Sequence, residues 1–363
     1  MINCLVLSQD YPNEHSHSMM YVHVRNKYYK QNGATPTVIN FSATQDYTYD
    51  GINVITQKTY ESSGKNYDML ICHAPNVKNH YRFIRKYGEK FKKMLFVFHG
   101  HEILKRSIEY PEEYPWSKSR TPRIVTDLYD KFKFVVWRKE FKRQLGKSHF
   151  VFVSNWLYSR FLRNIRIPEN ELGEKAHIIN NSVGEEFEKN AYDKKVKKKY
   201  DFITIRGDSL DGSKYGIDIV YELAKRNKEM RFLIIGRGKF FKHNKLLPNI
   251  TLVTEAIRHE EMLKYIDESR CALLPTKEDT QGVMACEMIA YGIPLITSDI
   301  EVCREIFGNI NGVTLIDNSD TSINLGKMLD DMEKKTVKKD TTYFKEKTVK
   351  IELDLIKRIC DEE

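Results

Sequence analysis

The chain has 363 residues, and 41% of them are hydrophobic, which is typical of a globular protein and excludes an intrinsically disordered one. No apolar run approaches the roughly 20 residues that span a bilayer, and the amino terminus lacks the pattern of a signal peptide, so we expect a cytoplasmic protein. The formal net charge of +9 favours an anionic partner, which leaves nucleic acid, an anionic membrane surface and a phosphorylated substrate as candidates.

Short apolar runs alternate with longer amphipathic stretches along the chain. This alternation predicts parallel strands joined by helices, and two such series, in a chain too long for one core, predict two doubly wound α/β domains. The predicted strands are Ile2–Leu7, Thr37–Phe41, Met69–His73, Met94–His99 and Phe150–Ser154 in the first series, and Phe202–Arg206, Phe232–Gly236, Ile250–Val253, Cys271–Pro275, Pro294–Ser298 and Gly312–Ile316 in the second.

A polar, lysine-rich passage separates the two series. Ser182–Asp201 has no apolar period and therefore predicts a linker. We divide the chain into an amino-terminal domain of residues 1–182, a linker of residues 183–200, a carboxyl-terminal domain of residues 201–320 and a tail of residues 321–363. Apolar residues among charges in the tail predict amphipathic helices, which we expect to pack back toward the amino-terminal domain.

The six cysteines are scattered, and none forms a Cys-x-x-Cys pair. Most lie in apolar runs, which indicates buried reduced thiols and not disulfides or zinc ligands. No Asp-x-Asp occurs either, so the closely spaced carboxylates that commonly hold a metal under a nucleotide diphosphate are missing from the sequence. We therefore predict no metal and no cofactor.

The loop after the predicted strand Cys271–Pro275 reads TKEDTQG, and a helical pattern follows it from near Gly282 to the stop at Gly292. In open parallel sheets, ligands bind outside the carboxyl ends of the strands. A helix that begins at a residue without a side chain lets an anion approach free backbone N–H groups, so this loop predicts a phosphate site.

Glu287 lies inside the apolar pattern of that helix. A desolvated carboxylate there is costly unless something pairs with it. We predict that Glu287 faces a hydroxyl-rich group such as a ribose diol and that Asp279 in the loop meets a second polyol. The alternative interpretation of Glu287 is a buried ion-pair partner without a ligand role.

Arg206 ends the predicted strand Phe202–Arg206 and Lys214 follows it, both ahead of the next helical pattern. Either residue alone would indicate only a surface charge. Two cations beside an anion-ready helix start suit a diphosphate, which arginine binds through its planar fork and lysine as a point charge.

The sequence resembles the retaining glycosyltransferases of family 4, which have the GT-B fold of two Rossmann-like domains facing across a cleft. The resemblance lies in FITIRGD, RFLIIGRGKF and DTQGVMACEMIAYGIPLITSDI of the second half, and in FVFHGHE, FVSNWLYSRFL and HIINNSV of the first. It covers most of Met1–Asp317. It implies metal-independent transfer of a sugar from a nucleotide-sugar to an acceptor hydroxyl, with retention at the anomeric carbon, in the cleft between the domains.

The resemblance also implies roles for the residues of the second half. By position, Glu287 binds the ribose hydroxyls, Arg206 and Lys214 hold the diphosphate, and Asp279 meets the sugar. The backbone of the helix start supports the donor's phosphate or sugar, and the loop Thr254–Ile257 contacts the base; the positions concerned are Gly282, Val283, Met284, Thr254 and Ile257.

In the first half, the resemblance places His99 near the transferred sugar. His101 is a rival for that role, and Glu102 either orients His99 or caps the next helix. Two departures from the family pattern stand out. The first acidic position, usually glutamate, is Asp279 with Glu278 beside it, so either carboxylate is a candidate for the sugar contact. The loop after Leu7 lacks the family's paired glycines.

We therefore predict a glycosyltransferase that uses a UDP-sugar in preference to a GDP-sugar. The alternative is a GT-B-fold sugar-nucleotide-binding protein or epimerase without transferase activity. Release of free nucleotide only in the presence of an acceptor would distinguish the two. The Gly236–Gly238 sequence GRG lacks a third glycine, so an NAD enzyme is not predicted, and no recognised nucleic-acid module accompanies the positive charge.

Aromatic and basic residues interleave along Trp116–Arg143. This mixture suits the headgroup layer of an anionic membrane. We predict peripheral attachment to the inner membrane face and a lipid-linked or cell-envelope glycan acceptor, because bacterial members of the family that the chain resembles often build such glycans. The alternative is an ordinary helix with a solvated charged face.

Overall fold

The structure, a computed structural model, describes residues 1–14, 16, 18–207, 209–255, 257–320, 322–335 and 337–361, apart from the side chain of His259. Thr321, which opens the predicted tail, and residues 362–363 at its end lie outside the described residues. The chain forms two compact units. The amino-terminal unit comprises Met1–Arg106, Ile124–Ser182 and Lys345–Glu363, and the carboxyl-terminal unit comprises Ser107–Arg123 and Val183–Phe344.

Within the described residues, the amino-terminal unit holds an eight-stranded sheet in the order β3-β4-β2-β1-β5-β6-β7-β8. All neighbours pair in parallel except β3 and β4. The strands are β1 (Ile2–Ser8), β2 (Ala34–Asn40), β3 (Tyr47–Tyr49), β4 (Ile52–Ile55), β5 (Met69–His73), β6 (Lys93–Phe98), β7 (Ser148–Phe152) and β8 (Ala176–Ile178).

The described part of the carboxyl-terminal unit holds a six-stranded parallel sheet in the order β11-β10-β9-β12-β13-β14. Its central strands are buried on both faces, which explains their nearly continuous apolar sequences. The strands are β9 (Tyr200–Gly207), β10 (Phe232–Gly236), β11 (Ile250–Val253), β12 (Ser269–Leu274), β13 (Leu295–Ser298) and β14 (Val313–Ile316).

Helices connect most consecutive strands. Among them, none in the described part of the chain is long and apolar enough to cross a membrane. The helices are α1 (Met20–Gln31), α2 (Gln57–Ser63), α3 (His80–Tyr87), α4 (Arg106–Glu109), α5 (Arg123–Gln144), α6 (Asn155–Ile165), α7 (Glu169–Leu172), α8 (Glu185–Lys189), α9 (Ile217–Arg226), α10 (Phe240–His243), α11 (His259–Asp267), α12 (Val283–Tyr291), α13 (Glu301–Phe307), α14 (Leu325–Glu333) and α15 (Val349–Asp361).

The predicted doubly wound α/β fold is confirmed in each unit, since every predicted strand overlaps a strand of the structure. Sequence reasoning missed β3, β4 and β8, which are short strands at or beside the sheet edge and carry little apolar pattern. β2 also begins earlier than predicted, because the strand includes Pro36, a residue that normally argues against a strand interior.

Segment Ser107–Arg123 belongs to the carboxyl-terminal unit, although its chain neighbours on both sides belong to the other unit. The sequence division placed it in the amino-terminal domain. Its position follows from two aromatic side chains, Tyr114 and Trp116, which pack into the apolar core of the carboxyl-terminal unit beside Phe240.

The proposed linker and tail are also distributed between the units. Residues 183–200 belong to the carboxyl-terminal unit, where Phe187 is buried and the Tyr192 N–H donates to the Tyr291 carbonyl at 2.8 Å. The tail stays with the same unit as far as Phe344. Its last helix, α15, contributes apolar side chains to the core of the amino-terminal unit.

Candidate functional site

The strand order of the carboxyl-terminal sheet places the predicted diphosphate residues together. The chain runs outward from β9 to β11 and then returns to add β12 to β14 on the other side of β9. Ligands of such sheets bind where the order reverses, outside the carboxyl ends of the two central strands. Arg206 lies at the end of β9 and Lys214 in the loop after it, and the loop after β12 carries Glu278, Asp279 and Gly282.

A backbone hydrogen bond joins these two loops, and side chains of two other segments hold the second loop. The Lys277 N–H donates to the Lys214 carbonyl at 2.7 Å. The Thr276 N–H donates to Ser298 Oγ at 2.8 Å, and Asn318 Nδ2 donates to the Thr276 carbonyl at 2.9 Å. Residues from β13 and the loop after β14 therefore fix the loop after β12, which in turn bonds to the loop after β9 through Lys277.

The two predicted cations meet at the ring of Tyr215. The Arg206 Cζ lies 5.6 Å from the centre of that ring, and the Lys214 Nζ lies 4.9 Å from it. Arg206 is further fixed by Nη2, which donates to the Pro275 carbonyl at 2.7 Å, and by Nε, which donates to the Tyr215 carbonyl at 3.1 Å. Sequence reasoning missed Tyr215, although it directly follows Lys214.

Burial and the neighbouring carboxylates shift the pKa values of these two cations in opposite directions. Burial lowers the pKa of the Arg206 guanidinium, and Asp279 counters this only in part. Burial would also lower the pKa of the Lys214 ammonium, but Tyr215, Glu278 and Asp279 together raise it. Both groups carry positive charge at neutral pH, which agrees with the predicted diphosphate role.

Asp279 shapes the turn that leads into α12. Its Oδ1 accepts hydrogen bonds from the backbone N–H groups of Thr280 at 2.7 Å, Gly282 at 2.9 Å and Gln281 at 3.3 Å. Gly282 has a φ of 77°, a left-handed conformation that glycine adopts without steric cost. The carboxylate expected to meet the sugar is thus already bound to the backbone through one oxygen.

The start of α12 still offers the backbone N–H groups on which the phosphate prediction depends. The N–H groups of Val283 and Met284 belong to the first turn of α12, where the helix offers them no internal acceptor. These N–H groups lie beyond the turn closed by Asp279 and remain the predicted backbone ligands of the donor.

Glu278 has a different environment from its neighbour Asp279. It is buried, and its Oε2 lies 3.9 Å from the Lys214 Nζ. Burial raises the pKa of the Glu278 carboxyl, Lys214 opposes that rise and Asp279 adds to it, which brings the pKa to about 7. The two acids that sequence reasoning left as alternatives are therefore chemically distinct.

Glu287 lies one turn further into α12 and is buried. Its Oε1 accepts a hydrogen bond from the Gly184 N–H at 3.1 Å. Gly184 precedes α8 in the segment predicted as a linker, so that segment helps to orient the carboxylate. The ribose role of Glu287 stays a prediction.

The loop predicted to contact the base lies at the same end of the sheet but further out. Thr254 and Ile257 follow β11, which is separated from β9 by β10. At strand spacings of about 4.8 Å, that separation is roughly 10 Å. Ala256, in the middle of the predicted loop, lies outside the described residues.

In the amino-terminal unit, His99 follows β6 and contacts other rings. Its Nε2 lies 3.2 Å from the Nδ1 of His73, and its ring centre lies 4.3 Å from that of Tyr21. Burial, with further contributions from Arg25, His73 and His101, lowers the pKa of His99 well below its usual value. His99 is therefore neutral at physiological pH.

Glu102 contacts the backbone of the His99 loop. Its Oε1 accepts hydrogen bonds from the N–H groups of His99 and Gly100, the latter at 3.0 Å. Its Oε2 lies 3.6 Å from the Nδ1 of His101, whose side chain is largely exposed. Glu102 thus fixes the loop backbone, and its two predicted roles, orienting His99 and capping the next helix, stay predictions.

Among the described residues, no group of three or more His, Cys, Asp or Glu side chains is placed to hold a metal ion. Residues 204–331 match the protein family described as "Glycosyl transferases group 1". This match spans most of the carboxyl-terminal unit and includes Arg206, Lys214, Asp279 and Glu287. No curated protein sequence matches the chain as a relative.

Solved structures resemble the whole chain. Sucrose-phosphate synthase from Thermosynechococcus elongatus is 12% identical, with a TM-score of 0.71 over 99% of this chain and 98% of that one. The lipopolysaccharide outer core galactosyltransferase WaaB is 11% identical, with a TM-score of 0.62 over 99% of both chains. The trehalose-6-phosphate structure from E. coli bound with UDP-2-fluoroglucose is 11% identical, with a TM-score of 0.60 over 99% of both. The fold is GT-B. This confirms the predicted fold class.

Proposed function

We propose that the protein is a retaining, metal-independent glycosyltransferase of family 4 that moves a sugar from a nucleotide-sugar to an acceptor hydroxyl. The observation that carries the proposal is the meeting of Arg206 and Lys214 at the ring of Tyr215, where the strand order of the carboxyl-terminal sheet reverses. The match of this region to group 1 glycosyl transferases supports the same conclusion.

In this mechanism the leaving diphosphate is stabilised by fixed positive charge. Arg206 and Lys214 bind its oxygens, and the first N–H groups of α12, at Val283 and Met284, add the partial positive charge of a helix start. Charge that develops as the glycosidic bond breaks is thereby neutralised by groups of the protein, without a metal.

For the donor, we propose a UDP-sugar in preference to a GDP-sugar, with the ribose hydroxyls on Glu287 and the base at the loop of Thr254 and Ile257. The resemblance to a structure that holds UDP-2-fluoroglucose is consistent with this choice. We assign His99 to the transferred sugar. Its neutral imidazole exchanges hydrogen bonds with hydroxyls without placing a charge beside them.

For the acceptor, we propose a lipid-linked or cell-envelope glycan and peripheral attachment to an anionic membrane surface from the cytoplasmic side. The support is α5, which exposes large apolar side chains along its first three turns. Ile124 is 70% exposed, Leu128 60% and Phe132 56%. The name apolar stripe is used below for the exposed residues Ile124, Val125, Leu128, Tyr129, Phe132 and Val135.

Basic residues flank the apolar stripe. Lys131, Lys139 and Lys142 are exposed on α5, and cations near an anionic surface contribute about 1 kcal/mol each. Lys133 does not share this role, because it is buried and its Nζ lies 2.9 Å from Asp130 Oδ1. The other aromatic residues of α5, such as Trp137, are in the core.

The test of the proposed function has two steps. Isothermal titration with UDP and with GDP measures which nucleotide binds; tighter binding of GDP would reverse the choice of base. A panel of UDP-sugars is then incubated with and without candidate acceptors, and free UDP is measured. A transferase releases UDP only with an acceptor. Binding of UDP-sugar without release in any combination would favour a sugar-nucleotide-binding protein, and interconversion of the sugar would favour an epimerase.

A further inference from the structure

Glu278 is a buried carboxyl that lacks the partners such a group normally has. The residue is 4% exposed, and neither of its carboxyl oxygens has a hydrogen-bond partner among the residues that the structure describes. The Lys214 Nζ, at 3.9 Å, is too distant for a hydrogen bond, although the two groups attract each other. Burying a carboxyl without hydrogen-bond partners costs free energy, so its presence calls for a functional explanation.

Two tyrosine rings and two further charged groups among the described residues lie around Glu278 and Lys214. The Lys214 ammonium lies 4.9 Å from the ring centre of Tyr215 and 5.6 Å from that of Tyr110. Asp279, the next residue in the loop, adds negative charge, and Arg206 faces Asp279 from the end of β9. Lys214 is thus the cation that acts on Glu278.

We propose that Glu278 is a positioning residue for Lys214, holding the ammonium group in the empty site and taking up a proton when a nucleoside diphosphate draws that group away. The inference rests on the proposed function, because it takes Lys214 as a ligand of the diphosphate. It differs from the role expected at the first acidic position, which is a contact with the sugar.

Diphosphate binding and protonation of Glu278 are coupled through the charge of Lys214. One ammonium group cannot compensate both a buried carboxylate and a diphosphate. When the diphosphate binds, Lys214 moves toward it and new negative charge comes near Glu278, and both changes favour the protonated carboxyl. The proton comes from the solvent, one per Glu278, and no bond other than that O–H forms. Because the pKa of Glu278 is already about 7 in the free protein, the exchange falls in the neutral range.

The direction in which the affinity for UDP changes with pH follows from this coupling. A pKa that rises on binding makes the complex the better proton acceptor, so affinity is highest below the pKa of the free protein and falls as the pH rises above it. We expect the affinity of the wild type for UDP to fall by about 3-fold to 10-fold between pH 7 and pH 8.5, since one pKa unit corresponds to a factor of ten.

The experiment is isothermal titration of the full chain with UDP, between pH 6.5 and pH 8.5. At pH 7.5 the titration is repeated in two buffers of different ionisation enthalpy, which counts the protons taken up. We expect uptake of up to about one proton by the wild type. Glu278→Gln should take up none from this position, and its UDP affinity should lack the fall that Glu278 causes in the wild type above pH 7. The ionisation of UDP itself is common to both proteins, so the difference between them isolates Glu278.

Asp279→Asn is the matched control. The asparagine side chain retains an oxygen that can accept the backbone hydrogen bonds of the turn, so the fold should persist. Loss of its negative charge should shift the fall in affinity to lower pH and should not abolish it. If Glu278→Gln does not fold, the number of protons that the wild type takes up in the two buffers still tests the inference.

Equal pH profiles for the wild type and Glu278→Gln, or no proton uptake by the wild type, would overturn the inference while leaving UDP binding and the proposed function intact. A loss in Glu278→Gln that is seen with a UDP-sugar but not with UDP would also overturn it and would assign Glu278 to the sugar. If neither UDP nor GDP binds at any pH, the proposed function itself fails.

Discussion

Arg25 and Glu352 form a buried ion pair, 3.1 Å from Nε to Oε2, that joins α1 near the start of the chain to α15 near its end. Asn181 Oδ1 accepts from Arg25 Nη1 at 2.9 Å, and the Tyr29 hydroxyl donates to the same glutamate. The amino-terminal unit is therefore closed around a polar network supplied by distant segments of the sequence, and α15 is part of its core.

The first prediction concerns this pair. Glu352→Ala should lower the free energy of unfolding of the amino-terminal unit by about 3–5 kcal/mol, because it leaves the Arg25 charge buried without its partner. Denaturant unfolding followed by tryptophan fluorescence, to which the buried Trp137 of this unit contributes, measures this. The control is Glu346→Ala, which removes an exposed carboxylate that accepts from Tyr28 at 2.8 Å. A loss below about 1 kcal/mol is expected there, and equal losses would contradict the special role of Glu352.

The second prediction concerns the two cations. Arg206→Ala and Lys214→Ala should each weaken UDP binding by about 1.5–3 kcal/mol, the cost of a charge-assisted hydrogen bond. Isothermal titration measures the change. Lys225→Ala, on the exposed face of α9, removes the same charge far from the loops and should leave the affinity unchanged. Because Arg206 also holds two backbone carbonyls, circular dichroism must show that its variant is folded. Full UDP affinity in both folded variants would remove the diphosphate assignment.

The third prediction distinguishes the two interpretations of Glu287. Glu287→Gln preserves the shape of the side chain and an oxygen that can accept from the Gly184 N–H, so the fold should persist. A ribose contact predicts that UDP affinity falls by about 1.5–3 kcal/mol. It also predicts that the preference of the wild type for UDP over 2′,3′-dideoxy-UDP shrinks in the variant. A preference that survives at full size in Glu287→Gln would make the residue structural.

The fourth prediction is a pH dependence of stability that does not depend on any ligand. The pKa of Glu278 is raised from 4.5 to about 7 in the folded protein, so the folded state keeps a proton that the unfolded state releases. Stability from this group is present below the unfolded pKa and is lost as the pH rises through the folded pKa. Between pH 5 and pH 8, the wild type should therefore lose on the order of 2–3 kcal/mol relative to Glu278→Gln. Parallel stability curves for the two proteins would contradict the raised pKa.

The sequence predicts the sheets well because the buried parallel strands must be apolar on both faces. It also predicts that Arg206 and Lys214 lie close together, since ligand groups of such sheets lie at the carboxyl ends of the strands. It cannot separate Glu278 from Asp279, because the difference depends on which carboxylate the turn uses to hold its own N–H groups. It also fails for Ser107–Arg123, whose unit is decided by packing between segments far apart in the chain.

The last prediction concerns the membrane. Wild-type protein should pellet with vesicles containing anionic lipids at low salt and less so at high salt, because screening weakens the attraction of Lys131 and Lys139 for the surface. Replacing the three most exposed members of the apolar stripe, Ile124, Leu128 and Phe132, by serine should leave the protein in the supernatant even at low salt.

A second variant, Lys131→Gln with Lys139→Gln, separates charge from insertion. It should lose binding to anionic vesicles to the extent that each lysine contributes about 1 kcal/mol, while the apolar stripe is intact. Lys225→Gln with Lys334→Gln, which removes the same charge from exposed positions of the carboxyl-terminal unit, is the matched control and should pellet like the wild type. Wild-type protein that stays in the supernatant with anionic vesicles at low salt would exclude the membrane proposal, and the acceptor would then be sought among soluble glycans and proteins.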